Sequence, residues 1–108
     1  MEPMETITLN VSDSNNNIYT IGDNNTINET SDNSNEITLE GNNNKANLNN
    51  GDNTINIVNS TGANVTVGDG DNNIKVIGQD NNVKTGNGNN DVTCSGSENN
   101  ITTGSGND

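Results

Sequence analysis

The stretch that decides the fold runs from residue 64 to residue 104 and repeats one short pattern: Asn64-Val65-Thr66-Val67, Asn73-Ile74-Lys75-Val76, Asn82-Val83-Lys84-Thr85, Asp91-Val92-Thr93-Cys94 and Asn100-Ile101-Thr102-Thr103. The leading aliphatic residue of each segment, here called position U, recurs every nine residues. Toward the N-terminus the series continues through Ile55, Ala46, Ile37, Ile27, Ile18 and Leu9, and two of these steps are ten residues long. A constant period predicts one supersecondary unit that stacks on copies of itself.

Composition alone would indicate a disordered chain. Leu, Ile and Val account for 20 of the 108 residues, Asn for 29, and the formal net charge is −12. The placement of the aliphatic residues contradicts disorder, because 16 of the 20 occupy position U or the position two residues later, U+2. Only Ile7, Ile21, Val58 and Ile77 fall outside these positions.

Each repeat is a short alternating strand followed by a turn rich in Gly, Asn, Asp and Ser, which tolerate positive φ. Nine residues leave no room for a crossover helix, so we predict an all-β, parallel β-solenoid of about eleven strands. Two strands per coil are favoured over three. One domain covers residues 1–108, with a lead-in at 1–6, repeats at 7–103 and an open turn at 104–108. The predicted core is Leu9, Ile18, Ile27, Ile37, Leu39, Leu48, Ile55, Ile57, Val65, Val67, Ile74, Val76, Val83, Val92, Cys94 and Ile101.

The position two residues before U, called U−2, carries a second pattern. Asparagine fills it in all repeats except those with Ile7 and Ala63. Side chains two residues apart in a strand share a face, so U−2 is predicted to point inward with U. Stacked coils would then align the carboxamides into hydrogen-bonded ladders, as in cross-β stacks. The predicted ladder is Asn16, Asn25, Asn35, Asn44, Asn53, Asn72, Asn81, Asn90 and Asn99.

The sequence offers little catalytic chemistry. It has no His and no Trp, and its acidic residues lie in predicted turns, so we do not expect an enzyme. The acidic balance argues against binding to nucleic acid or to anionic membranes. Cys94 is at a U+2 position and is expected to be a small buried thiol. Residues 1–10 lack the apolar segment of a secretory signal.

Two segments resemble the nonapeptide repeats of calcium-binding RTX β-rolls: Gly68-Asp69-Gly70-Asp71-Asn72-Asn73-Ile74 and Gly86-Asn87-Gly88-Asn89-Asn90-Asp91-Val92. In that family a ligand Asp occupies the position that is Asn here, and a neutral amide removes charge that Ca²⁺ requires. Asp69, Asp71 and Asp80 remain candidate calcium ligands. Apart from calcium, no cofactor is expected.

Two further segments are similar to the repeats of grass ice-binding β-rolls: Gln79-Asp80-Asn81-Asn82-Val83-Lys84-Thr85-Gly86 and Ser97-Glu98-Asn99-Asn100-Ile101-Thr102-Thr103-Gly104. The asparagine ladder with an alternating strand also resembles curlin-type fibre subunits. For an ice binder, the outward residues of alternate strands would form a flat face, interrupted by Lys45 and Lys84. The candidate flat face is Thr8, Asn10, Thr26, Asn28, Asn47, Asn64, Thr66, Asn82, Asn100 and Thr102.

The open strand edges at the two ends of a solenoid favour pairing with another chain. We therefore expect a non-catalytic structural protein that assembles head to tail with itself, with acidic turns that keep the filaments dispersed. An extracellular or virion-associated location is favoured over the cytoplasm. The alternatives are a monomeric ice-binding β-roll and a calcium-dependent repeat module.

Overall fold

The computed structural model describes residues 6–12 and 15–108. Eleven strands follow one another: β1 (Thr8–Val11), β2 (Asn17–Ile21), β3 (Thr26–Glu29), β4 (Glu36–Glu40), β5 (Lys45–Leu48), β6 (Thr54–Thr61), β7 (Asn64–Val67), β8 (Asn73–Gln79), β9 (Asn82–Lys84), β10 (Asp91–Ser95) and β11 (Asn100–Thr102). They form two parallel sheets. Sheet A has the order β1-β3-β5-β7-β9-β11, and sheet B has the order β10-β8-β6-β4-β2.

This arrangement is a β-solenoid with two strands per coil, and it confirms the predicted fold class. Each strand from β1 to β9 pairs in parallel with the strand 18 or 19 residues further along the chain, as in the pairs Thr8–Thr26 and Lys45–Asn64. In β6 the offset changes from 19 to 18 at a bulge between Ile57 and Ser60. The pairing places every U residue beside the U residue of the next coil. Val65 lies between Ala46 and Val83, for example.

The core fills the space between the two sheets. Twelve residues of the predicted core are buried there: Ile18, Ile27, Ile37, Leu39, Leu48, Ile55, Ile57, Val65, Val67, Ile74, Val76 and Val83. Val92 and Ile101 are partly buried against this cluster, and Ala46 and Ala63 also belong to it.

Predicted burial was wrong at two positions. Leu9 is 40% exposed and the Cys94 thiol is exposed. Both residues face inward in the first or last coil of the described chain, where a neighbouring coil covers them from one side only. Their exposure follows from position along the solenoid, since the same repeat positions are buried in the middle coils.

Glu29 occupies a U+2 position normally held by an aliphatic residue, yet it is only 3% exposed. Its Oε1 accepts hydrogen bonds from the Ser31 backbone N–H (2.7 Å) and from the Ser31 hydroxyl (2.6 Å). The carboxylate therefore has local donors in the turn, as a buried charge requires.

The turns from sheet B to sheet A share one backbone conformation. The residue three positions before U has positive φ in every one of them: Asn24, Asn43, Gly62, Asp80 and Glu98. Left-handed φ is disfavoured for most side chains but is tolerated by Gly, Asn and Asp, which accounts for the residue type in four of these five turns. Glu98 adopts the same conformation in the turn before β11. No helix with the length and hydropathy of a membrane span occurs in the described residues.

Candidate functional site: the ladders and the two sheet faces

The inward asparagines form two columns, one preceding each sheet. Seven of the nine predicted ladder residues are buried: Asn25, Asn35, Asn44, Asn53, Asn72, Asn81 and Asn90. Asn16 and Asn99, in the outer coils, are half-buried. The prediction that the carboxamides lie inside the stack is therefore confirmed for the middle coils.

The ladder is tied mainly to the backbone. The N–H of Asn35 donates to Asn53 Oδ1, and the N–H of Asn53 donates to Asn72 Oδ1, each at 2.9 Å. The predicted bonds between carboxamides also form, for example from Asn72 Nδ2 to Asn90 Oδ1 at 3.0 Å. Each side chain thus satisfies a buried N–H that the strand pairing leaves free, since pairing begins one residue later.

One column contains an interruption that the sequence predicted. Ala63 holds the ladder position between Asn44 and Asn81 and has no side-chain acceptor. Its own N–H still donates to Asn81 Oδ1 (2.8 Å), and Asn44 Nδ2 turns to the Gly22 carbonyl oxygen (2.9 Å). The column continues on both sides of Ala63 because each coil contributes its own donor.

Asp108 is a ladder residue that sequence reasoning missed. Its Oδ1 accepts hydrogen bonds from the Asn90 backbone N–H (2.9 Å) and from Asn90 Nδ2 (3.0 Å). The backbone N–H of Asn90, with help from its side-chain amide, holds the pKa of the Asp108 carboxyl below its ordinary value. The signal was present in the spacing, because Asp108 lies 18 residues after Asn90, one coil further on.

A second, exposed set of ladders runs along the turns. Asp69 Oδ1 accepts the Asn87 N–H and Asp71 Oδ1 accepts the Asn89 N–H, both at 2.7 Å. Asp52 Oδ1 accepts the Asp71 N–H at 2.8 Å in the same way. The turn aspartates thus fix one coil to the next, a role that the sequence analysis did not assign to them.

The three candidate calcium ligands do not converge. Asp69 and Asp71 lie in the turn from β7 in sheet A to β8 in sheet B, whereas Asp80 lies in the turn from β8 back to sheet A. These turns stack along opposite edges of the solenoid. Among the described residues, no group of three or more acidic, His or Cys side chains could hold a metal ion.

The outer face of sheet A gathers all ten residues of the predicted flat face. Together with Lys45 and Lys84 they form two columns. The residues before U give Thr8, Thr26, Lys45, Asn64, Asn82 and Asn100. The residues after U give Asn10, Asn28, Asn47, Thr66, Lys84 and Thr102. Three of the carboxamides are fixed by mutual bonds, since Asn28 Nδ2 donates to Asn10 Oδ1 (3.0 Å) and Asn47 Nδ2 donates to Asn28 Oδ1 (2.9 Å). The result is a regular polar surface with two cations.

The outer face of sheet B is chemically different. It carries Glu36, Lys75 and Asp91 and an exposed aromatic residue, Tyr19. The Tyr19 hydroxyl donates a 2.5 Å hydrogen bond to Glu40 Oε2. This bond, together with desolvation and the nearby negative charge, raises the pKa of Tyr19.

The fold and its surfaces define the class of protein: a two-sheet parallel β-solenoid whose coils are joined by inner and outer side-chain ladders. Comparison with models of known protein families finds no match, and searches of curated proteins and solved structures also find no significant similarity.

Proposed function

We propose that this chain is a non-catalytic structural subunit that assembles end to end into β-solenoid filaments. The observation that carries the proposal is that each edge strand is paired along one side only. Within the described residues, β1 pairs only with β3, β2 only with β4, β10 only with β8 and β11 only with β9. Open edges present backbone groups that another chain can pair with.

The two ends of the solenoid also expose inward-facing side chains. At the first coil a groove of about 420 Å³ is lined by Ile7, Leu9, Ile18 and Ile27, among others. At the last coil, Cys94 is exposed and its neighbours Val92 and Ile101 are only partly buried. The two ends differ in sequence and structure, so contact between them is heterologous. Contacts of that kind extend into filaments when they do not close into a ring.

The unequal number of strands in the two sheets determines how a second copy can stack on the first. Sheet A has six strands and sheet B has five. A second copy that continues both sheets must therefore be rotated by half a turn about the solenoid axis, so that its β1 follows β10 and its β2 follows β11. With a strand spacing of about 4.8 Å, each subunit of eleven half-coils would add roughly 26 Å to the filament.

Sedimentation across a concentration series, followed by electron microscopy, tests this proposal. Attaching a bulky thiol reagent to Cys94 should block assembly, because the thiol lies at the end of the solenoid. The matched control carries Cys94→Ser with Thr66→Cys on the face of sheet A, and the same label there should leave assembly intact. A monomer at every concentration, or equal sensitivity to both labels, would refute end-to-end stacking.

The face of sheet A supports a second candidate function, ice binding. The supporting observation is the regular array of Thr and Asn in two in-register columns, with Asn10, Asn28 and Asn47 held by mutual hydrogen bonds. Thermal hysteresis of ice growth is the assay. Thr66→Lys on sheet A should abolish it, whereas the matched Thr38→Lys on sheet B should not. Absence of hysteresis in the unmodified chain would exclude this function.

A further inference from the structure

Four aliphatic residues lie outside positions U and U+2, and three of them are on the outer face of sheet B. Ile21, Val58 and Ile77 each follow the U+2 residue of their strand. The pairing of Ile21 with Glu40 and of Glu40 with Val58 places Ile21 and Val58 in one column, and Ile77 lies in β8 beside the bulge that interrupts the β6–β8 pairing after Ile57. Ile21 is 72% exposed. In the part of the chain that the structure describes, no outward column of sheet A contains an aliphatic residue, so exposed aliphatic side chains distinguish the face of sheet B.

The charges on this face have a specific arrangement. Lys75 is the middle outward residue of β8, while Glu36 and Glu40 are the first and last outward residues of β4. Strands β4 and β8 flank the central strand β6 on its two sides. Lys75 and Asp91 therefore lie on one side of the sheet centre, and Glu36 and Glu40 lie on the other.

We propose that two copies of this chain pair through the outer faces of sheet B, about a twofold axis that runs along β6. Such an axis places β8 of one copy over β4 of the other and keeps the positions along the strands aligned. Each Lys75 then lies over the partner's Thr38, between the partner's Glu36 and Glu40. Val58 meets its own counterpart on the axis, and by the same alignment Ile77 lies over the partner's Glu40.

The same charges disfavour the other face-to-face arrangement. A twofold axis along the solenoid would place β4 over its own copy, with Glu36 against Glu40, and Lys75 against itself. Like charges that face each other across an interface are costly, so the charge pattern selects one orientation. Among the described residues, the outward side chains of sheet A include Lys45 and Lys84 but no acid, so self-pairing of that face brings no opposite charges together.

The expected affinity is low. Five strands of about five residues cover on the order of 400 Å² per copy, or about 800 Å² in total, which is below the roughly 1,200–2,000 Å² of stable interfaces and in the range of weak, transient contacts. Each chain also carries a net charge of −12, which opposes association until salt screens it. At an ionic strength of about 0.15 M the screening length is roughly 8 Å, so measurements belong at physiological salt.

Sedimentation equilibrium of the full chain, with a bulky label on Cys94 so that end-to-end stacking is blocked, tests the pairing at concentrations up to about 1 mM. Lys75→Glu should weaken dimer formation at least about tenfold, since it replaces an attraction with a repulsion at two symmetric places. Lys84→Glu, with the same change of net charge on sheet A, should have little effect. Combining Lys75→Glu with Glu36→Lys and Glu40→Lys should restore the dimer.

Cysteine crosslinking provides a second readout. In a Cys94→Ser background, Val58→Cys should form a disulfide-linked dimer on oxidation, whereas Thr66→Cys on sheet A should not at the same concentration. The pairing does not need end-to-end assembly, so the Cys94-labelled chain, which cannot stack, should still form it. A chain that stays monomeric, equal effects of Lys75→Glu and Lys84→Glu, or equal crosslinking at both positions would overturn the proposal.

Discussion

Removing one ladder carboxamide should cost far more stability than removing its immediate neighbour. Asn72 and Asn73 are adjacent and chemically identical, but Asn72 is 1% exposed and points into the ladder, whereas Asn73 points outward from β8. The variants Asn72→Ala and Asn73→Ala therefore delete the same group from two environments. The difference between the two losses of unfolding free energy therefore measures the contribution of the ladder, because the intrinsic preference of Asn for turns or strands affects both variants.

The contacts of Asn72 set the magnitude. Its Oδ1 accepts the buried Asn53 N–H (2.9 Å), and its Nδ2 donates to the Gly70 carbonyl oxygen (2.9 Å) and to Asn90 Oδ1 (3.0 Å). Leaving the Asn53 N–H unpaired costs about 1–3 kcal/mol, and each further lost bond contributes about 1 kcal/mol. We expect Asn72→Ala to lower the free energy of unfolding by roughly 3–5 kcal/mol, and Asn73→Ala by less than about 0.5 kcal/mol.

Urea denaturation followed by circular dichroism measures both values, and the Tyr19 fluorescence gives an independent probe of the same transition. A small domain has a total stability of about 5–15 kcal/mol, so the expected loss would move the midpoint clearly or unfold the chain outright. Equal losses for the two variants, within about 0.5 kcal/mol, would show that the carboxamide ladder does not stabilise the stack.

Other predictions follow from the turns and faces. Gly22 and Gly41 share a φ near +120°, but a Cβ on Gly41 would overlap the Gly22 carbonyl oxygen, whereas a Cβ on Gly22 has its nearest neighbour among the described residues at 3.7 Å. Gly41→Ala should therefore destabilise the chain by about 1–3 kcal/mol more than Gly22→Ala in thermal melts, and equal costs would contradict this. The raised pKa of Tyr19 should fall toward its ordinary value in Glu40→Gln when measured by ultraviolet titration. Because the folded pKa is the higher one, this bond stabilises the fold below the ordinary tyrosine pKa of about 10 and is lost as the pH rises through the folded value. A chelator or added Ca²⁺ should leave the melting temperature unchanged within about 1 °C, and a clear calcium-dependent rise would show that the turn acids bind the ion.

The sequence alone predicts most of this fold because its two signals are strictly periodic. Aliphatic residues at U and carboxamides at U−2 define the inward face, the strand positions and the coil length without knowledge of any contact. The predicted burial fails for Leu9 and Cys94, since the repeat pattern describes an average coil, whereas exposure depends on whether a neighbouring coil lies on each side. The turn aspartates could not be assigned because an exposed carboxylate and one that accepts a backbone N–H look alike in sequence.

The position of the longer repeats shows how register is kept. The two ten-residue steps, from Ile27 to Ile37 and from Ile55 to Val65, place the extra residue before the ladder position. Asn35 and Ala63 consequently still lie two residues before U and still donate their N–H groups to the next coil, at 2.9 Å and 2.8 Å. A one-residue shift within a strand would turn every inward side chain outward. The first added residue lies in the turn between β3 and β4, whereas the second is taken up by a bulge of β6 between Ile57 and Ser60. In both cases the carboxamide or alanine at U−2 and the two inward residues after it keep their spacing.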